Sequence, residues 1–180
     1  MKFGEQFLKA IIKKDWKYSS VDYEVLKRFI KERTTQGRQF STEDEADFIK
    51  LLEREVAKVS DYRHVKIGEL TRHVCELEAN GTTENLVEID DVTSQLVEVS
   101  EFTELNIKAL NKLIKKHDRW TSFVLGSMFL VIQREQLNPG QIDSLILRLS
   151  RLYETINAKF NAPPPPPSPQ LEAGQGQGPS

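Results

Sequence analysis

The sequence has little of what crosslinks a protein or holds it in a membrane. Cys75 is the only cysteine among 180 residues, so no disulfide can form within the chain. A lone thiol fits a reducing compartment, and we expect the chain to be cytoplasmic. The longest apolar stretch, residues 123–132, has about half the length of a bilayer span, and residues 1–14 lack the pattern of a signal peptide. We therefore expect neither a membrane span nor secretion.

Catalytic and metal-binding patterns are also missing. No nucleophile–base arrangement, glycine-rich phosphate loop or pair of catalytic carboxylates stands out. His73 and Cys75 would point about 200° apart on a helix, so they cannot share a metal ion. His117 lies between a cationic and an apolar helix face, where a packed histidine is expected. The sequence predicts no enzyme, no metal site and no cofactor.

Excess charge of one sign is absent as well. The net charge is −2 and the isoelectric point is near 6.0, which argues against a general nucleic-acid binder. Any anion site must therefore be local. The length of 180 residues and the hydrophobic fraction of 38% fit one domain with a real core.

Helical periodicity dominates the chain and predicts an all-α, six-helix bundle. Helices are expected over 2–12 and 21–33, which form an N-terminal hairpin. A long helix follows, from an acid-rich start with a hydroxyl cap candidate at residues 41–45 to residues 80–81. A second long helix, acidic and then basic, is expected to lie antiparallel to it. Two C-terminal helices, 122–136 and 141–160, are separated by a turn at 138–140. The long helix carries the apolar series Phe48, Leu52, Val56, Val59, Ile67, Leu70, Val74 and Leu77.

The composition changes after residue 160. Residues 161–180 are rich in proline, glycine and glutamine and have almost no apolar side chains. We expect a domain over residues 1–160 and a disordered tail or linker over 161–180.

One segment, residues 105–119, sorts its charges from its apolar side chains. On a helix, the five cations fall within an arc of about 100°, with the apolar side chains opposite. Like charges this close repel one another unless an anion lies across them. We call these five residues the cationic stripe: Lys108, Lys112, Lys115, Lys116 and Arg119.

Two plainer interpretations of the cationic stripe stay open. Lysines on an outer helix face often serve only to keep a protein soluble. Alternatively, the preceding segment 84–104, which has seven carboxylates and no lysine or arginine, neutralises the stripe internally. Neither interpretation requires a ligand.

Three motifs resemble the SPX domain family. The chain opens with Lys2-Phe3-Gly4, places Trp16 before the second helix and continues with Tyr23-Glu24-Val25-Leu26-Lys27. The long helix has a similar pattern of Phe48, Leu52, Glu55, Lys58, Val59 and Tyr62. The segment KLIKKHDR, residues 112–119, resembles the lysine-rich signature of the family, and the resemblance extends from Met1 to about Phe160.

The resemblance implies a sensor of cellular phosphate status that binds inositol polyphosphates and pyrophosphates. By position, Tyr23, Lys27 and Lys116 match the inner phosphate cluster of the family, and Lys112, Lys115 and Arg119 match its lysine surface cluster. Lys2 and Lys108 are additional candidates. Ser20 stands where the family often has tyrosine, and we expect this difference to affect packing only.

The resemblance also implies a regulated partner or a fused domain: a polyphosphate polymerase, a phosphate transporter, a ubiquitin ligase or a transcription factor. Such a partner would place the chain at the cytosolic face of a vacuolar or plasma membrane. The alternative is a constitutive helical scaffold for protein–protein interactions, which has no small-molecule ligand.

Overall fold

A computed structural model describes residues 2–164 and residue 178, except for the side chain of Thr83. This part of the chain is helical, as predicted, and contains six α-helices with short 3₁₀ turns at Lys17–Ser19 and Thr83–Asn85. The helices are α1 Phe3–Ile11, α2 Tyr23–Thr34, α3 Thr42–Asn80, α4 Leu86–Trp120, α5 Gly126–Gln136 and α6 Gly140–Phe160.

The two long helices, α3 and α4, pack antiparallel over most of their length. Side-chain hydrogen bonds join Glu45 at the start of α3 to His117 near the end of α4. Another joins Arg63 to Thr103, near the middle of each helix. This confirms the antiparallel pair predicted from the apolar series. All eight members of that series are buried: Phe48, Leu52, Val56, Val59, Ile67, Leu70, Val74 and Leu77.

The helix pair joins two apolar cores. At one end, α1, α2 and α5 pack against the first half of α3 and the second half of α4, around Leu26, Phe48 and Leu113. At the other end, α6 covers the remaining halves of both long helices, around Leu70 and Leu96. Helices α1 and α2 meet near their first turns, where Phe3 packs edge-on against Tyr23 with ring centroids 5.1 Å apart.

The start of α3 is fixed by a capping box. Ser41 accepts a hydrogen bond from the backbone N–H of Asp44, and Asp44 accepts one from the backbone N–H of Ser41. That backbone N–H holds the pKa of Asp44 below its usual value, with help from the guanidinium groups of Arg38 and Arg33. The hydroxyl cap predicted within residues 41–45 is therefore present, and it is Ser41.

One predicted helix boundary was wrong. The sequence placed the start of the fifth helix at residue 122, but α5 begins at Gly126. Asp118, in the last turn of α4, accepts hydrogen bonds from the backbone N–H groups of Leu125 and Gly126, at 2.9 and 3.2 Å. The N-terminus of α5 is thus capped by the preceding helix, which holds residues 121–125 outside the helix.

A buried arginine ties the turn between α5 and α6 to the long helices. Arg63 is 3% exposed and donates to the carbonyls of Gln136 and Asn138, at 3.1 and 2.7 Å, and to the Thr103 hydroxyl at 2.9 Å. Burial lowers its pKa below the ordinary arginine value. The turn predicted at 138–140 is present, with Pro139 at the N-cap of α6.

The predicted disordered tail falls largely outside the described residues. Only Asn161–Pro164 and Gly178 of residues 161–180 are described, and they are exposed. Within the described part of the chain, no helix is both long enough and apolar enough to cross a bilayer.

Candidate anion-binding site

The start of α2 is anchored from both long helices. The backbone N–H of Val21 donates to Oδ1 of buried Asn106 on α4, at 2.8 Å, and that of Asp22 donates to Glu55 on α3, also at 2.8 Å. The Asp22 side chain in turn caps the helix by accepting from the Val25 N–H. These bonds fix the direction in which the first two turns of α2 present their side chains.

Tyr23 opens α2 and is only 7% exposed. Its ring packs against Phe3 and Phe7 of α1, with centroid distances of 5.1 and 6.3 Å. Burial raises the pKa of the phenol further above neutral pH, and the hydroxyl therefore carries its proton there. Among residues 2–164 no group hydrogen-bonds this hydroxyl, which leaves it free to donate to a ligand.

Lys27 and Lys116 bring two cations to the same place from different helices. The Lys27 ammonium lies 6.0 Å from the Tyr23 ring, one turn further along α2. Lys116 is half-buried, with its ammonium 4.6 Å from the Trp120 ring. Partial burial and the nearby charge of Lys27 hold the pKa of Lys116 below its usual value. Lys27 thus lies beside Tyr23 and its charge acts on Lys116, and the role of the three residues in binding stays a prediction.

Two more lysines surround the inner cluster. The charges of Lys2, ahead of α1, and Lys31, on α2, also lower the pKa of Lys116. Lys2 was predicted as an additional candidate, whereas Lys31 was missed. The signal for Lys31 was present, because Tyr23, Lys27 and Lys31 recur every four residues and so share one helix face. We call Tyr23, Lys27, Lys31, Lys116 and Lys2 the inner pocket.

The rest of the cationic stripe continues along α4 away from the inner pocket. Lys108, Lys112, Lys115 and Arg119 are exposed. The Lys112 ammonium lies 6.0 Å from the Phe3 ring, so this lysine links the stripe to the start of α1. Lys108, Lys112 and Lys115 also border a cleft of about 450 Å³ between α4 and the start of α6. Lys108 stands at the far end, as the sequence predicted.

The acidic segment does not neutralise the stripe. Glu101 binds the Lys14 ammonium at 2.8 Å, and Glu98 accepts from the Trp16 indole at 3.2 Å, so both carboxylates serve the N-terminal segment. Within residues 2–164, none of the five stripe cations forms an ion pair with a carboxylate. The interpretation in which residues 84–104 neutralise the stripe was therefore wrong.

His117 is a packed histidine, as expected. It is fully buried and stacks on Phe48, and its two ring nitrogens lie 2.6 Å from Glu45 and 2.9 Å from Asp118. Because it links α4 to α3 on one side and Asp118 to the start of α5 on the other, it fixes the turn that carries Lys116. His117 therefore anchors the last turns of α4 to the start of α3.

Two relatives among curated proteins cover most of this chain, whereas no family model matches it. The chain is 33% identical over 177 residues to vacuolar transporter chaperone complex subunit 4 of Schizosaccharomyces pombe, a match that covers 88% of this chain and 24% of the relative. It is 26% identical over 165 residues to subunit 2 of the Saccharomyces cerevisiae complex, covering 81% of this chain and 20% of that protein. The chain thus spans a quarter or less of these relatives.

The similarity to a solved structure decides the fold. The SPX domain of Chaetomium thermophilum glycerophosphodiester phosphodiesterase 1, solved in complex with inositol hexakisphosphate, superposes with a TM-score of 0.64. The match covers 87% of this chain and 99% of that domain, at 19% sequence identity. The chain has the SPX fold.

Two positions of the N-terminal segment that were compared with the SPX family are buried in this fold. Trp16 is 1% exposed and packs edge-on against Phe102 of α4, which pins the segment between α1 and α2. Ser20, where the SPX family often has tyrosine, is buried and donates to the Trp16 carbonyl at 3.3 Å. As expected, Ser20 serves packing within the N-terminal segment.

Proposed function

We propose that this SPX-fold chain binds inositol polyphosphates and inositol pyrophosphates, and that it is a regulatory module without catalysis of its own. The functional unit would be residues 1–160. It conveys phosphate status to a partner protein or to a fused domain that acts in phosphate or polyphosphate homeostasis. The observation that carries the proposal is that cations from Lys2, α2 and α4 face one surface beside the start of α1, with the stripe cations free of ion pairs among the described residues.

The inner pocket suits one phosphate group. Lysine ammonium groups act as point charges for phosphate, and the Tyr23 hydroxyl adds a hydrogen-bond donor. Charging Lys116 is costly without a ligand, because it is partly buried and close to three other lysines. A bound phosphate would offset that cost, so the pocket is more favourable when filled.

The stripe suits the remaining phosphates of a multiply charged ligand. Lys112, Lys115 and Arg119 lie on the same face of α4 as Lys116, so a ligand held in the inner pocket can extend across them. A ligand with one phosphate would use the pocket alone. An inositol ring with several phosphates would use both surfaces, and each further contact would add affinity.

The comparisons support this proposal. The Chaetomium thermophilum domain with the same fold was solved with inositol hexakisphosphate. The two yeast relatives belong to a vacuolar transporter chaperone complex, which favours an output at a vacuolar membrane. We therefore place the chain in the cytoplasm, at the cytosolic face of that membrane, through a partner.

Calorimetry with inositol hexakisphosphate and its pyrophosphate forms tests the proposal. At low salt we expect saturable binding, with inorganic phosphate as the weak-binding control. Raising the salt to about 0.15 M should lower the affinity, because several screened charge contacts contribute. Absence of binding at low salt would contradict the proposed function and leave the constitutive scaffold, which has no use for unpaired cations.

A further inference from the structure

Glu24 places a carboxylate inside the inner pocket. Its two oxygens accept hydrogen bonds from the Lys27 ammonium, at 3.0 and 3.1 Å. Its negative charge also favours the protonated form of Lys116 and so opposes the pKa depression caused by burial and the nearby lysines. The carboxylate therefore acts on the two cations assigned to the inner phosphate cluster.

The first turn of α1 is shaped to admit this carboxylate. Gly4 is buried, and a β-carbon at this position would overlap Oε1 of Glu24 and come within 3.1 Å of the Tyr23 ring. Glycine at this position leaves room for the end of the Glu24 side chain beside the start of α1. There the helix dipole favours a negative charge.

We propose that Glu24 is a resident counter-ion of the inner pocket, which an inositol phosphate must displace from Lys27. This inference rests on the proposed function, since it concerns competition for the same cations. Without a ligand, the carboxylate reduces the repulsion among Lys2, Lys27, Lys31 and Lys116. When a ligand arrives, the same carboxylate opposes binding through like charge and through its ion pair with Lys27.

The competition favours ligands with many phosphates. Glu24 and Lys27 are one turn apart on α2, so the carboxylate is always present at a high local concentration. A single phosphate that contacts only the pocket competes poorly with it. A ligand that also contacts the cationic stripe gains affinity outside the reach of Glu24. The carboxylate thus sets a threshold that excludes small anions.

The matched test compares Glu24→Gln with Glu69→Gln. Both substitutions remove one negative charge and one exposed ion pair with a lysine three residues away, at 3.0 Å for Glu24 and 3.2 Å for Glu69. Glu69 lies near the middle of α3, and the inner pocket lies beside the end of α4. The Glu24 side chain is 57% exposed, so glutamine should be tolerated by the fold.

Calorimetry with inositol hexakisphosphate and thermal unfolding without ligand provide two readouts. We expect Glu24→Gln to bind about fivefold tighter than the unmutated chain, the upper range for loss of an exposed ion pair, while its ligand-free melting temperature stays equal or falls. Glu69→Gln should change the affinity less than about twofold.

The outcomes separate two failures. If the unmutated chain binds inositol hexakisphosphate and the two variants bind alike, or if Glu24→Gln binds more weakly, Glu24 is not a counter-ion and the proposed function stands. If the unmutated chain shows no binding, the proposed function is wrong and the counter-ion role falls with it.

Discussion

Replacing Lys116 by alanine should weaken binding of inositol hexakisphosphate far more than replacing Lys108. Both lysines belong to the cationic stripe on α4, and both substitutions remove one positive charge. They are eight residues apart, which is about 12 Å along a helix. Comparing the affinities of Lys116→Ala and Lys108→Ala therefore distinguishes a direct contact in the pocket from a general effect of positive charge.

The expected size follows from the surroundings of each lysine. Lys116 is partly buried beside Lys27, and a hydrogen bond between charged groups in such a place contributes about 1.5–3 kcal/mol. That range corresponds to a loss of about 10- to 150-fold in affinity. Lys108 is exposed at the far end of the stripe, and a charge about 12 Å from the pocket is largely screened when the Debye length is about 8 Å. Its loss should weaken binding less than about threefold.

Calorimetry at about 0.15 M salt gives the two dissociation constants, and thermal unfolding without ligand checks the fold. Neither substitution should destabilise the chain by more than about 1 kcal/mol, because Lys116 lies among like charges and Lys108 is exposed. If the two variants lose affinity equally, the stripe acts as a diffuse electrostatic surface and the inner pocket does not exist as a binding site.

Three further outcomes are expected. Tyr23→Phe should leave thermal stability unchanged and weaken ligand binding about fivefold in calorimetry, because only a hydroxyl without a protein partner is removed; an unchanged affinity would exclude a contact with that hydroxyl. Lys115→Ala should leave the ligand-free melting temperature unchanged or slightly higher, and a large fall would mean that this lysine is structural. Asn106→Ala should lower the free energy of unfolding by about 1–3 kcal/mol, because the buried N–H of Val21 loses its acceptor. Denaturant titration measures this, and an unchanged free energy of unfolding would show that the hydrogen bond contributes nothing.

Periodicity predicted the long helix pair and the position of the cationic stripe. An apolar series over residues 48–77 specifies a buried face, and segregation of lysines from leucines on α4 specifies an exposed one. Both patterns lie within a single helix, so they can be recognised in the sequence before the fold is known. The turn at 138–140 was equally local, since proline and glycine restrict the backbone directly.

Long-range hydrogen bonds account for what the sequence did not reveal. The start of α5 depends on Asp118, a residue of the preceding helix, so no pattern within residues 122–126 could place it. The anchoring of α2 depends on buried Asn106 and Glu55, whose side chains look like ordinary polar residues of a helix surface. Glu24 lies within the motif Tyr23-Glu24-Val25-Leu26-Lys27, but its place in the pocket follows from its hydrogen bonds with Lys27.

The residues that stabilise the fold are mostly different from the lysines that would bind a ligand. The two apolar cores and the buried bonds of Asn106, Arg63 and His117 hold the helices together. The four lysines of the inner pocket belong to neither core, whereas the ring of Tyr23 is part of the first core. The pocket instead collects like charges that repel without a ligand. A polyanion that fills it binds the folded chain only, so at a concentration about 100 times its dissociation constant it would stabilise the fold by about 2.7 kcal/mol. Helices α2 and α4 and the start of α1 meet at this one surface, so ligand binding would restrain three separate segments of the chain together.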